Sequence, residues 1–108
     1  MLTKKERLTK QEFDRSFSLG KRIHSKELQI IYHPSPTFHA AAVVGKKVYK
    51  SAVARNRLRR QLYGAIYRYH KRHEVPGTII MIAKPAIIEV SQRHVASLVQ
   101  EQLAAIQW

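Results

Sequence analysis

The chain has 108 residues, enough for a single domain spanning 1–108 with one modest core. Cysteine is absent, which excludes disulfide frameworks, thiolate metal sites and cysteine nucleophiles, and apolar runs such as 40–44 and 79–83 fall far short of the roughly 18 residues of a membrane span. Twenty Lys and Arg stand against seven Asp and Glu, a net charge of +13, and a small domain this basic is expected to meet a polyanion, because phosphate contacts release condensed counterions.

Residues 1–7 are charged and no apolar stretch follows them, so no signal peptide is expected. With the absence of cysteine, this suits a reducing, cytoplasmic compartment. The first helix is well marked. Thr9 can cap it, Glu12 three residues on completes a capping box, and Leu8 with Phe13 can form a hydrophobic staple. Phe13 and Phe17 lie one turn apart on one face. Gly20 is expected to end the helix in a left-handed conformation.

Residues 27–33 read as a strand, broken by Pro34-Ser35-Pro36, and 40–45 as a second, buried strand. Whether 27–45 holds two strands or three is left open by the pattern. Residues 52–73 read as a long helix capped by Ser51, with Leu58, Leu62, Ala65, Ile66 and Tyr69 in one arc of roughly 100°. Pro76-Gly77 stops it, and 78–84 is a further buried strand. A last helix follows Ser91, with a stripe of Val95, Leu98, Val99, Leu103 and Ile106. The order implies an α+β fold: a two-layer α/β sandwich with a small mixed sheet. A crossover helix joins two parallel strands, and N- and C-terminal helices flank them.

From Lys46 to His73 there are ten Lys and Arg and no Asp or Glu. Opposite the apolar arc of the long helix, Arg57, Arg60, Arg68 and Lys71 share an arc of roughly 80°. Gly64 lies in the same arc and removes a side chain that would hold a phosphate away. Solvated helix faces usually mix signs to form i, i+4 pairs; like charges grouped in this way call for a polyanion.

The run Lys46-Lys47-Val48-Tyr49-Lys50-Ser51-Ala52-Val53-Ala54-Arg55-Asn56-Arg57-Leu58-Arg59-Arg60 resembles the signature of the bacterial ribonuclease P protein family, centred on Arg-Asn-Arg at 55–57. Leu8-Thr9 with Phe13 and Phe17 resembles the family's first helix. Gly20-Lys21 and 28–32 resemble its opening strand, and 79–85 the strand after the crossover. Tyr63 and Gly64 depart from the basic-then-acidic pair frequent there. The resemblance implies a left-handed crossover, against the usual rule. It implies that the catalytic RNA is bound by Lys46, Lys47, Lys50, Arg55, Asn56, Arg57, Arg59, Arg60 and Arg68. It implies a cleft for the single-stranded 5′ leader of precursor tRNA at Phe13, Phe17 and Tyr32. The function implied is that of the protein subunit of an endoribonuclease that removes tRNA leaders, with Mg²⁺ and the catalytic centre in the RNA subunit.

No metal or catalytic residue is expected in the chain itself. Of the seven acids only Glu12 and Asp14 are near neighbours, and i, i+2 positions on a helix do not face each other. His70 and His73 share a helix face but lack a third ligand. Three other readings compete: a structural RNA-binding protein such as a ribosome component, a metal-independent ribonuclease using two histidines, and a DNA-binding regulator. The last is disfavoured because no turn and recognition helix follow the basic helix, so DNA is not an expected partner; nor is a membrane, because the basic segments interleave with core-forming residues and form no detached polybasic tail.

Overall fold

The computed structural model describes residues 8–74 and 77–106. The charged residues 1–7 and the helix-stopping Pro76 lie outside them. The elements in chain order are α1 (Lys10–Leu19), β1 (Lys21–His24), β2 (Leu28–His33), β3 (Phe38–Val43), α2 (Ala52–His73), β4 (Gly77–Ala83), a 3-10 turn (Pro85–Glu89) and α3 (Gln92–Ala104). The four strands form one sheet in the order β1-β2-β4-β3. β1 with β2 and β2 with β4 pair antiparallel, whereas β3 and β4 are parallel and α2 is the connection between them.

β1 is the strand the sequence pattern hides. It is four residues long, three of them exposed, and only Ile23 supplies an apolar signal. Ser25 closes its hairpin with β2 by accepting from the Leu28 N–H and donating to the Leu28 carbonyl. The 3-10 turn is equally silent in the pattern; it buries Ile87 beneath the start of α3.

Strand alternation gives the sheet two unlike faces. Leu28, Ile30, Tyr32, Phe38, Ala40, Ala42, Ile79, Met81 and Ala83 point to one side. They join Leu58, Leu62, Ala65, Ile66 and Tyr69 of α2, and Val95, Val99 and Leu103 of α3, in the main core. This is the sandwich expected from the pattern, and the apolar arc of α2 is its buried side. The other face has a much smaller cluster: Ile31, Ala41 and Ile80, one residue from each of three adjacent strands, with Leu8, Phe13 and Ile82 packed against it. Among the described residues, α1 alone crosses this second face.

Local chemistry fixes how α1 crosses. The Thr9–Glu12 capping box is complete at its N-terminus, and the Leu8 N–H donates to the Ala40 carbonyl at 3.3 Å, tying the helix start to β3. At the other end Gly20 is not left-handed, as its position after the helix suggested. Its backbone is extended (φ −72°, ψ 155°) and leads directly into β1. The glycine is there for space: a Cβ would lie 2.5 Å from Ile31 Cγ2 and 2.7 Å from the Ser16 carbonyl oxygen. The left-handed residue that ends a helix is instead Glu74 (φ 49°), whose N–H closes α2 on the His70 carbonyl.

Candidate nucleic-acid interface

Two surfaces follow from this arrangement. The first is the outward side of α2 with the loop that leads into it. Lys46, Lys47 and Lys50 are exposed on the turn between β3 and α2, while Val48 between them is buried and anchors it. Arg57, Arg60, Arg68 and Lys71 are exposed along the helix. Among the described residues, the carboxylates within ion-pair distance of a base are Glu89, on Lys26, and Glu12, on His39. The positive charge of α2 is therefore uncompensated by those residues.

The residues of the Arg-Asn-Arg stretch differ in what they do. The half-buried Arg55 turns back, and its Nη1 donates to the carbonyls of Tyr49 (3.0 Å) and Lys50 (2.8 Å). It clamps the lysine turn to the start of α2, so its guanidinium is already engaged, unlike the free cation assumed from the motif. Arg59 donates to Asn56 Oδ1 one turn back. Arg57 and Arg60 are not tied back in this way and point to solvent.

The second surface is the face of the sheet beside α1. Glu12, Arg15 and Ser16 flank one side of the helix, over His33 and Thr78. Phe13 and Phe17, about 100° further round at 3.6 residues per turn, flank the other. There the paired residues Gln29, Ile82 and Val43 form a half-buried row that no described helix covers, with His24 at its β1 end. Phe13 and Phe17 stack with ring centroids 5.9 Å apart. Phe13 packs down onto the Ile31 cluster, whereas Phe17 remains 38% exposed.

Tyr32 does not belong to this surface. It is next to Ile31 in β2, so it points through the sheet to the opposite face, where it is buried in the main core. Ile31 is the residue of β2 that meets α1. Leu28, Ile30 and Tyr32 alternate with Gln29, Ile31 and His33, and the first set is the core-facing one; the family resemblance, which names a residue without its side of the strand, placed Tyr32 in the cleft. A residue not anticipated takes a place here instead. Arg22 of β1 shares the α1 face with Ile31; its guanidinium lies 4.5 Å from the Phe17 ring centroid and donates to the Phe17 carbonyl at 2.6 Å. Nothing in the isolated sequence Lys-Arg-Ile-His marked it.

His70, His73 and Glu12 have structural partners. The His70 ring stacks on Phe38 and His73 lies against Tyr69. Glu12 serves the capping box, and its carboxyl is held below the usual range by the Thr9 hydroxyl, with further help from the Thr9 N–H and from His39 at 3.7 Å. Among the described residues, no group of three or more His, Asp or Glu is close enough to share a metal ion, and no helix is long and apolar enough to cross a membrane.

Comparison with known proteins agrees with these features. The sequence profile of the family Ribonuclease P matches residues 2–107. The chain is 32% identical to the ribonuclease P protein component of Microcystis aeruginosa over 92 residues, covering 79% of this chain and 76% of that protein. With the corresponding protein of Coprothermobacter proteolyticus the identity is 29%, covering 92% and 82%. The fold superimposes on the RNase P protein of Thermotoga maritima with a TM-score of 0.75 at 21% identity, over 95% of this chain and 99% of the other. With the profile spanning nearly its whole length, the chain belongs to the ribonuclease P protein component family.

Proposed function

We propose that this chain binds the catalytic RNA of ribonuclease P through the outward side of α2 and the lysine turn, and the 5′ leader of precursor tRNA through the open sheet face beside α1. In doing so it promotes removal of the leader. The observation that carries the reading is the run of exposed Lys and Arg from Lys46 to Lys71 with no described carboxylate in reach. Two polyanions repel, and a cationic protein between them lowers that cost.

The leader site rests on Phe13, Phe17 and the half-buried row Gln29–Ile82–Val43, a strip with aromatic faces and an apolar floor that suits unpaired bases. Hydrolysis is assigned to the RNA subunit with its Mg²⁺, because among the described residues no three His, Asp or Glu side chains come together to hold a metal ion. The test is reconstitution with the catalytic RNA at low salt. Cleavage of precursor tRNA should rise, and precursor should bind more tightly than mature tRNA. Arg57→Ala with Arg60→Ala should weaken binding of the catalytic RNA and flatten its salt dependence, log K against log salt, by ~0.7–0.9 for each phosphate no longer neutralised. A purely structural RNA-binding protein would leave cleavage unchanged. Unaltered affinity and slope in the double variant would overturn the role of α2.

A further inference from the structure

The basic side of α2 is also one wall of a groove against α3. Arg60, Gly64 and Arg68 stand on one side and Gln92, Val95 and Ala96 on the other. The space is about 220 Å³, far above the ~15 Å³ that holds one water, so it admits a flat ring. It continues past Gln61 into a smaller recess beside Arg57.

Gly64 keeps the groove open, and the fold does not need a glycine there. A Cβ at this position would meet nothing nearer than Arg68 Nη1, at 3.6 Å, which is ordinary contact. Glycine is the poorest helix former after proline, so the absence of a side chain costs helix stability and provides only room. Helical side chains lean towards the N-terminus, and the Arg68 guanidinium has come back to the level of Gly64. Arg60 and Arg68 are about 12 Å apart along the axis at their backbones, and both line the groove. Two cations, on residues two turns apart in α2, thus border a recess with an apolar wall (Val95, Ala96) and an amide on each side (Gln61, Gln92). No carboxylate of a described residue pairs with either arginine. A nucleotide supplies both the negative charge and the flat ring that this combination matches.

We propose that the groove between α2 and α3 receives one unpaired nucleotide of the catalytic RNA. Its flanking phosphates rest on Arg60 and Arg68, its base lies against Val95 and Ala96, and its polar edge faces Gln61 and Gln92. The proposal rests on the reading that α2 faces the catalytic RNA. It adds a shape-dependent subsite to a surface otherwise described by charge alone.

The test uses the full chain and the catalytic RNA. Gly64→Leu fills the groove with a good helix former. Its melting temperature should not fall, while affinity for the RNA drops tenfold or more, with the salt dependence largely kept because the arginines remain. Gln92→Ala, at an exposed position, should leave the fold intact and lower affinity several-fold. If Gly64→Leu melts lower, Gln92→Ala alone decides. Wild-type affinity in the folded variants would overturn the groove. The double variant Arg57→Ala with Arg60→Ala separates the two failures. If it weakens binding while the groove variants do not, the groove proposal alone falls. If it too binds normally, the α2 reading falls and takes the groove with it.

Discussion

Phe17→Ala tests whether the strip beside α1 is a binding surface or an unfinished core. A fully buried Phe cut to Ala costs about 3–5 kcal/mol. Phe17 is 38% exposed, so only about three-fifths of its surface is out of water. Taking about 1.5–3 kcal/mol for complete burial of a large apolar side chain gives about 1–2 kcal/mol. The exposed contact with Arg22 adds about 0.5–1 kcal/mol at most. The expected loss of stability is therefore about 2 kcal/mol, below that of a core deletion. The effect on substrate should be of similar size but selective. A base stacked on an aromatic ring is worth about 1–3 kcal/mol, or roughly 5- to 150-fold in affinity. Only precursor tRNA has a leader to stack. Paired affinities of the reconstituted complex for precursor and mature tRNA, beside a denaturant curve of the free protein, read both quantities. Equal weakening of the two tRNA forms, or a stability loss of about 4 kcal/mol with precursor preference intact, would return Phe17 to the core.

Three further outcomes follow from the geometry. Gly20→Ala forces a methyl group to 2.5 Å from Ile31 Cγ2, so stability should fall by about 1–3 kcal/mol through overpacking; wild-type stability in a melting curve would show that α1 does not approach the sheet this closely. Arg55→Ala removes two hydrogen bonds from a charged donor to the lysine turn and should lower stability by about 1.5 kcal/mol, whereas Arg57→Ala should leave it unchanged; equal effects would show that Arg55 is no clamp. Glu12 has a lowered folded-state pKa, owing first to the Thr9 hydroxyl. Its stabilisation is therefore fully present above the ordinary value of 4.5 and is lost as pH falls from there through the lowered value. Glu12→Gln should melt with a shallower dependence on pH below 4.5 than the wild type, and identical acid profiles would refute the assignment.

Sequence legibility divides along a physical line. Elements stabilised by one-dimensional pattern could be read directly. The capping box at Thr9 and Glu12, the arc of Leu58, Leu62, Ala65, Ile66 and Tyr69, and the buried strand after α2 all stand where periodicity placed them. Elements stabilised by neighbours distant in the chain could not. β1 exists because β2 pairs with it, not because Lys-Arg-Ile-His favours a strand.

The candidate site divides in the same way. Its charge was visible, because ten Lys and Arg without an acid in 46–73 is a property of composition. The employment of each charge was not, because a motif names residue types and leaves their directions open. Arg55 and Arg57 are two residues apart in one motif, yet on a helix that separation turns them about 200° from each other. One consequently folds back on the carbonyls of Tyr49 and Lys50, and the other faces solvent. Tyr32 repeats the point on a strand, where a shift of one residue exchanges the two faces of the sheet. Family motifs thus name candidate residues without their directions. Helix and strand phase then decide which side chains each proposed surface presents: Arg57 and Arg60 on α2, and Phe17 with Arg22, not Tyr32, beside α1.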